Sequence, residues 1–308
     1  MNSHNSLGKI KEVLTSDGTP TFHSELYDET FHSMLGARLE AQEKFIKPSK
    51  LHERKHDKPI RVLDVCFGLG YNTACLLEEV RKMKNKIKWY GLEIDHRPIE
   101  SALMNNSFLK IWTATTRKKL QSISTDSGWS DSTSSGQILW GDARETLKEI
   151  PLYERFDLIY LDPFSPRKCP QLWSEEFLES LTMRLSSLGR LVTYSRSAAL
   201  RASLRRKGLT VLSLKPLVNR ENDWSAGTLA IKGNCNEVEI EDHVYQSLNQ
   251  MEEEHLKTTA AVPYRDPTGK STAVQILNIR KQEQKNSELI NTKSWKDKWI
   301  KVKILKAH

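Results

Sequence analysis

The sequence predicts a doubly wound α/β fold: a seven-stranded, mostly parallel sheet with helices on both faces and an extension at each end. Three observations predict it. Short apolar runs alternate with amphipathic stretches from Ile60 to Ile231. A glycine-bearing turn follows the first run. An acidic residue stands at or just after the ends of several of these runs.

The elements follow in order. Asp17-Gly18-Thr19-Pro20 is a turn signal, Thr21–Tyr27 a short strand, and Ser33 caps a helix carrying Leu35, Leu39 and Ile46. A charged connector, Lys50–Lys58, ends at Pro59. The sheet then begins. Its strands are expected at Ile60–Val65, Ile87–Leu92, Ile138–Trp140, Phe156–Leu161, Arg190–Tyr194, Thr210–Leu214 and Thr228–Ile231. Helices are expected at Asn72–Lys84, from Pro98, and at Ala143–Ile150, Ser174–Ser186 and Ala198–Lys207. Ser122–Gly136, rich in Ser, Asp and Thr, reads as a flexible surface loop. After Gly233 the periodicity is poor, which reads as an extension. The expected organisation is therefore an N-terminal extension (1–58), a core (59–233) and a C-terminal extension with a basic tail (234–308).

Composition narrows the class. The chain has 308 residues, 38% hydrophobic and 28% charged, which suits a soluble globular protein. No apolar run approaches the roughly 20 residues of a membrane helix, so no membrane partner is expected. The polar start carries no secretory signal, and four scattered cysteines lack a Cys-x-x-Cys pair. A cytoplasmic location without a metal site is expected. Net charge is +8 and the pI about 9.2. From Arg184 to Lys207 there are seven basic residues and no acidic one, and Lys293–His308 holds six lysines against one aspartate. Such clusters suit a polyanion, with Arg201, Arg205 and Arg206 as candidate RNA contacts, or form a solvated helix face.

In open α/β sheets, ligands sit beyond the carboxyl ends of the strands. The first strand runs into Cys66-Phe67-Gly68-Leu69-Gly70-Tyr71-Asn72. Glycines there let the backbone turn tightly and approach a ligand. Cys66 stands where such loops usually have a first glycine. Glu93, 23 residues after Gly70, suits the hydroxyls of a ribose. In Gly141-Asp142-Ala143-Arg144, Asp142 suits a helix cap, an adenine amino group, or both. The fourth strand delivers Asp162-Pro163-Phe164-Ser165-Pro166, where two prolines stiffen the turn. A carboxylate at Asp162 can orient an amine toward an electrophile, and Phe164 can shield the reacting centre from water. Thr73 occupies the position of the third glycine of a dinucleotide loop. The strand ends therefore suit a nucleoside with an amino-acid arm, S-adenosylmethionine, better than a pyrophosphate. The arm is expected at Gly68 and Gly70, the ribose at Glu93 and the adenine at Asp142.

Taken in series, these motifs resemble the methyltransferase domain of MnmC-type tRNA-modifying enzymes. The resemblance runs through Asp17-Gly18-Thr19-Pro20-Thr21, Ser24-Glu25, His32-Ser33, Gly36-Ala37, Glu40 and Phe45. It continues through the glycine loop, Gly91-Leu92-Glu93, Gly141-Asp142-Ala143-Arg144, Leu161–Pro166, Leu172-Trp173, Thr193-Tyr194-Ser195 and Pro263-Tyr264-Arg265-Asp266-Pro267. It implies a Rossmann-like class I S-adenosylmethionine-dependent methyltransferase fold. The implied reaction methylates the amine of 5-aminomethyluridine at the tRNA wobble position, giving 5-methylaminomethyluridine. The partner would be tRNA, with other enzymes making the aminomethyl precursor upstream. The resemblance ties Asp162 to catalysis, and the glycine loop and Glu93 to the cofactor. Phe67, Asn72 and Ala143 flank these positions and complete the expected cofactor set with Asp162. An N-terminal segment is implied across the cofactor pocket, bringing Glu40 to the cofactor and Tyr27, His32 and Ser33 to the substrate. Bifunctional members add an FAD-dependent oxidoreductase domain. This length leaves no room for one, so only methyl transfer, without FAD, is expected. Asn219–Trp224 matches a basic segment of the relatives only loosely.

Two rival readings share these residues. One is a methyltransferase acting on a different amine or small metabolite. The other is a non-catalytic RNA-binding module on the same fold.

Overall fold

A computed structural model describes residues 8–54, 58–217, 223–233 and 239–306, with side chains up to 299. Most of the Asn219–Trp224 segment lies outside the described residues. The chain divides into two units. The first runs to Phe164 and adds Arg184–Thr193; the second comprises Ser165–Met183 and the chain from Tyr194 onward.

The first unit opens with a small antiparallel sheet of β1 (Ile10–Leu14), β2 (Pro20–Ser24) and β3 (Glu29–Thr30). Asp17 builds the β1–β2 turn. One of its oxygens accepts from the Thr19 amide (3.0 Å) and from the Thr15 and Thr19 hydroxyls. The Thr19 hydroxyl in turn accepts from the Ala37 amide at 2.9 Å, which fixes where α1 (Ala37–Ala41) begins. This helix starts three residues later than Ser33 as its cap suggests. It passes directly into a π turn, Gln42–Ile46.

The strands of the sheet follow from buried apolar alternation. They are β4 (Ile60–Val65), β5 (Ile87–Glu93), β6 (Gly128–Ser130), β7 (Ser134–Trp140), β8 (Phe156–Leu161) and β9 (Leu185–Thr193). Their order is β9-β8-β4-β5-β7-β6, parallel except for the β6–β7 hairpin. Helices α2 (Tyr71–Lys82), α3 (Arg97–Met104), α4 (Asn106–Lys110), α5 (Ala114–Asp126) and α6 (Ala143–Thr146) make the connections. The chain runs from β4 outward to β5 and β7, then returns to β8 on the other side of β4. The carboxyl ends of β4 and β8 therefore flank the topological switch point. The N-terminal segment packs on the same strands: Ser49 meets the Tyr160 hydroxyl at 3.0 Å, and Arg190 donates to the Pro48 carbonyl at 2.8 Å.

Two expectations are corrected. Beyond the small N-terminal sheet, the described residues hold nine strands rather than seven, six in the first unit and three in the second. The additional β6 and β12 (Tyr245–Ser247) are three residues each, too short to show a period. The stretch Ser122–Gly136 is not a flexible loop. It holds the end of α5 and a hairpin whose turn is built by Asp131, which accepts from the Thr133 and Ser134 amides at 2.8 Å each. Polar side chains that read as solvent-seeking are spent on that turn. Gly136 leaves room for the Trp129 ring, which a Cβ there would meet at 2.0 Å.

The second unit holds α7 (Glu175–Met183), α8 (Ala198–Arg206), β10 (Thr210–Leu214), β11 (Gly227–Ile231) and β12. The helices α9 (Gln250–His255), α10 (Ala273–Lys285) and α11 (Thr292–Lys306) follow. Its strands pair antiparallel in the order β12-β10-β11. Arg201 lies at its centre, 1% exposed. It donates to Glu252 (2.6 Å), to the hydroxyls of Thr228 (2.9 Å) and Ser225 (3.0 Å), and to the Gly227 carbonyl (2.8 Å). A guanidinium so enclosed cannot touch a phosphate, and the expectation of Arg201 as an RNA contact is withdrawn. The charge count saw its sign; tertiary packing decides its exposure. Arg201→Ala would leave Glu252 as a buried unpaired charge, so we expect a loss of about 3–5 kcal/mol in urea denaturation. A loss below about 1 kcal/mol would mean that the pair contributes little beyond a surface bridge.

Candidate active site

The first unit brings most of the sequence-predicted site residues to the switch point. The loop after β4 turns through three residues in the left-handed region: Cys66 (φ 68°), Gly68 (φ 57°) and Gly70 (φ 86°). Cys66 thus adopts the conformation that a glycine would take more cheaply, at some cost in strain. Gly70 cannot be replaced easily, because a Cβ there would lie 2.8 Å from the Phe67 ring.

Glu93 at the end of β5 ties this loop down. One oxygen accepts from the Gly68 amide at 2.8 Å, the other from the amides of Ile94 (2.7 Å) and Asp95 (3.0 Å). Burial raises its pKa, and the three amide bonds oppose that rise. On the same strand end Ile94 is half exposed, an apolar residue set in open view next to a carboxylate. Nearby, His96 stacks on Trp140 with ring centroids 3.7 Å apart.

Asp142 caps α6 by accepting from the Arg144 amide at 2.9 Å, and it also receives the Arg144 guanidinium at 2.6 Å. The cap read from the sequence is present. Ala143 follows it as a buried residue.

Asp162, at the end of β8, is held across the switch point. Its Oδ2 accepts from Asn72 Nδ2, on the first turn of α2, at 2.7 Å. Its other oxygen has no hydrogen-bond partner among the described residues. Burial raises its pKa well above the ordinary carboxylate range, helped by the negative charges of Glu40 and Asp64; the Asn72 bond and Lys44 act the other way. Beside it Phe164 stacks on Tyr27 (centroids 4.3 Å) and meets Phe31 edge-on (5.0 Å), forming an aromatic wall.

The N-terminal segment supplies the remaining candidates. Glu40 accepts from the Ser33 amide (2.7 Å) and from Lys44 Nζ (2.5 Å). Burial raises its pKa, but Lys44, His32 and these bonds outweigh burial and hold it below the usual range. His32 Nδ1 lies 3.0 Å from the Thr21 hydroxyl, and burial pushes the ring down to about 4, so it is neutral near pH 7.

Sequence reasoning missed three participants. Asp64 accepts from Thr73 at 2.6 Å through one oxygen, while the other is buried without a partner among the described residues. Its position on β4 directly before the glycine loop was the available signal. Lys44 was signalled only by its spacing of four from Glu40. Ile94 was signalled by an apolar residue following a strand-end acid. Arg205 and Arg206 belong to the second unit, outside this cluster. Arg205 is paired with Glu253 (2.7 Å) and Arg206 with Glu175 (2.8 Å).

The cluster is a cradle of four carboxyl groups, Glu40, Asp64, Glu93 and Asp162, with one lysine among them. It favours a cationic guest, and it pairs an open carboxyl oxygen with an aromatic wall. Residues 103–228 match a family described as S-adenosyl-L-methionine-dependent methyltransferase. The chain is 27% identical to MnmC2 of Aquifex aeolicus over 91% of its own length and 86% of that chain, with a TM-score of 0.76. It is 28% identical to an uncharacterised protein of Methanocaldococcus jannaschii, covering 94% of this chain and 74% of the other. It is also 26% identical to the tRNA 5-methylaminomethyl-2-thiouridine biosynthesis bifunctional protein MnmC of Burkholderia thailandensis. That match covers 64% of this chain but only 31% of the bifunctional protein.

The buried acids make stability depend on pH. Burial pushes Asp64 up to about 7. A carboxyl raised on folding contributes stability that is complete below about pH 4 and is lost as pH rises through its folded value. We therefore expect the melting temperature of Asp64→Asn, relative to the wild type, to rise from pH 5 to pH 8 in scanning calorimetry. A constant difference would show that Asp64 ionises like an exposed aspartate.

Proposed function

We infer that the chain is an S-adenosylmethionine-dependent methyltransferase related to the methyltransferase part of the MnmC proteins. From that premise we propose that it methylates the amine of 5-aminomethyluridine at the wobble position of tRNA, giving 5-methylaminomethyluridine. The observation that carries this reading is Asp162, with one oxygen tethered to Asn72 and the other open beside the Tyr27–Phe164 stack.

The residues present fit S-adenosylmethionine. When bound, it supplies an electrophilic methyl group on a cationic sulfur. The acidic cradle matches the positive charges of that molecule, and the partnerless buried oxygen of Asp64 suits an ammonium group. In this reading Phe67, Gly68, Gly70, Asn72 and Glu40 would hold the amino-acid arm. Glu93 keeps lone pairs for the ribose hydroxyls. Asp142 and Ala143 flank the adenine, with the exposed Ile94 as its apolar support.

Asp162 accepts an N–H of the substrate amine and takes up the proton that the amine must give up to expose its lone pair. Tyr27 and Phe164 offer a face on which an unstacked uridine can rest while water is excluded. His32 packs edge-on against Tyr71 at 4.9 Å, and the Ser33 amide is held by Glu40. Exposed lysines such as Lys293 and Lys296 on α11 offer charge for phosphates. Arg205 and Arg206 reach RNA only by exchanging their carboxylate partners. Aminomethyl precursor must come from enzymes acting upstream, and a cytoplasmic setting suits tRNA.

Nucleoside mass analysis of aminomethyluridine-bearing tRNA, incubated with enzyme and S-adenosylmethionine, should show one added methyl group on the amine. A free amine methylated in its place, with no tRNA binding at low salt, would move the assignment to a small metabolite. Asp162→Ala should bind the cofactor nearly as the wild type does in calorimetry and lose about 10²-fold or more in turnover. Full activity would remove Asp162 from the chemistry. Glu93→Ala should weaken cofactor binding at least about tenfold, a loss of roughly 1.4 kcal/mol. Unchanged affinity would remove the ribose role.

A further inference from the structure

Phe31 touches both assigned halves of the site. Its ring covers Gly68: a Cβ on that glycine would stand 3.4 Å from Phe31 Cδ1, and no atom outside the glycine's own chain neighbours would come closer. The same ring meets Phe164 edge-on, with centroids 5.0 Å apart. Gly68 belongs to the loop assigned to the amino-acid arm of the cofactor, and Phe164 follows Asp162 closely in the chain. The half-buried ring of Phe31 therefore joins the cofactor side to the acceptor side, where a transferable methyl group belongs.

The backbone holds this ring in place. The Phe31 amide donates to the Phe22 carbonyl of β2 at 2.9 Å. The next residue, His32, lies 3.0 Å from the Thr21 hydroxyl and packs edge-on against Tyr71. Tyr71 in turn donates to the Pro20 carbonyl at 2.8 Å. Ser33 is held through its amide by Glu40 at 2.7 Å. Tyr71 begins α2, the helix into which the glycine loop leads. The segment that carries Phe31 is thus bonded to the element that follows the loop, and the ring's place over Gly68 is built into the fold. A ring already in position loses little freedom when a ligand meets it.

The face of an aromatic ring is electron-rich. It attracts a cation whose charge is spread over carbon-bound hydrogens, and more strongly away from water. A sulfonium is such a cation. We propose that Phe31 is a cofactor-binding residue that reads the charge on sulfur, holding S-adenosylmethionine more tightly than its neutral demethylated form, S-adenosylhomocysteine. The ammonium of the amino-acid arm is common to both forms, so contacts to the arm alone would bind the two alike. Selectivity is a difference of affinities, and this ring supplies one. It also favours turnover, because its hold on the ligand weakens once the methyl group has left. The inference rests on the S-adenosylmethionine reading above and is independent of which amine accepts the methyl.

Calorimetry of the whole protein with each compound gives the ratio of the two affinities. Phe31→Leu keeps an apolar cover over Gly68 and removes the ring face. It should bind S-adenosylmethionine about tenfold more weakly, and S-adenosylhomocysteine within about twofold of the wild type. Phe31→Tyr should keep the wild-type ratio. Should the leucine variant fail to fold, singly and doubly fluorinated phenylalanine in place of Phe31 keeps the ring's shape while drawing electrons from its face. Affinity for S-adenosylmethionine should then fall with each fluorine, and that for S-adenosylhomocysteine should stay level. A ratio unchanged in Phe31→Leu, with both ligands weakened alike, would make Phe31 a packing residue and overturn the proposal, as would a flat fluorine series. A wild type that binds neither compound would overturn the cofactor reading, and the proposal with it.

Discussion

The arrangement of the first unit depends on one constraint: four carboxyl groups are drawn out of water around a single left-handed turn. Each must be compensated, and each compensation fixes a piece of geometry. Glu93 takes three backbone amides, including that of Gly68, and so locks the glycine loop to the neighbouring strand end. Asp64 binds Thr73 on α2. Asp162 binds Asn72 on the same helix. Glu40 takes Lys44 and Ser33 from the N-terminal segment. Strands, helix and N-terminal segment are held in register by these bonds as much as by apolar packing.

That constraint also sets the chemistry. Full compensation would leave the cradle inert. It is incomplete at two atoms, the buried oxygen of Asp64 and the open oxygen of Asp162. Incompletely satisfied acids in a dry, concave place hold a positively charged guest well. A sulfonium nucleoside is such a guest, so the local geometry suits the similarity to S-adenosylmethionine-dependent methyltransferases. The rings of Tyr27, Phe31 and Phe164 pack on one another two residues along the chain from Asp162.

The second unit follows a different logic. Its basic sequence suggests a surface for polyanions, yet much of that charge is consumed internally. Arg201 is enclosed by Glu252 and four hydroxyl or carbonyl partners, and Arg205 and Arg206 are matched by carboxylates of other elements. A stretch with seven basic residues and no acidic one is balanced by acids distant in sequence, such as Glu252 and Glu253. Local charge counts miss such balance because ion pairing is long-range.

By itself the sequence determined the alternation of strands and helices, the glycine turn after β4, the acids at the strand ends and the family resemblance. These are local or periodic signals, set by backbone sterics and by the period of apolar residues. Only the tertiary structure decided that Asn72 reaches Asp162, that Lys44 sits on Glu40, that Asp64 keeps a lone buried oxygen and that Arg201 is hidden. Each of these is a fact about distance in space and exclusion of water. The same holds for the hairpin at Gly128–Trp140, where polar residues that look like a loop satisfy one another across a turn. A side chain's charge is written in the chain, but its partner, and hence its proton affinity, is chosen by the fold.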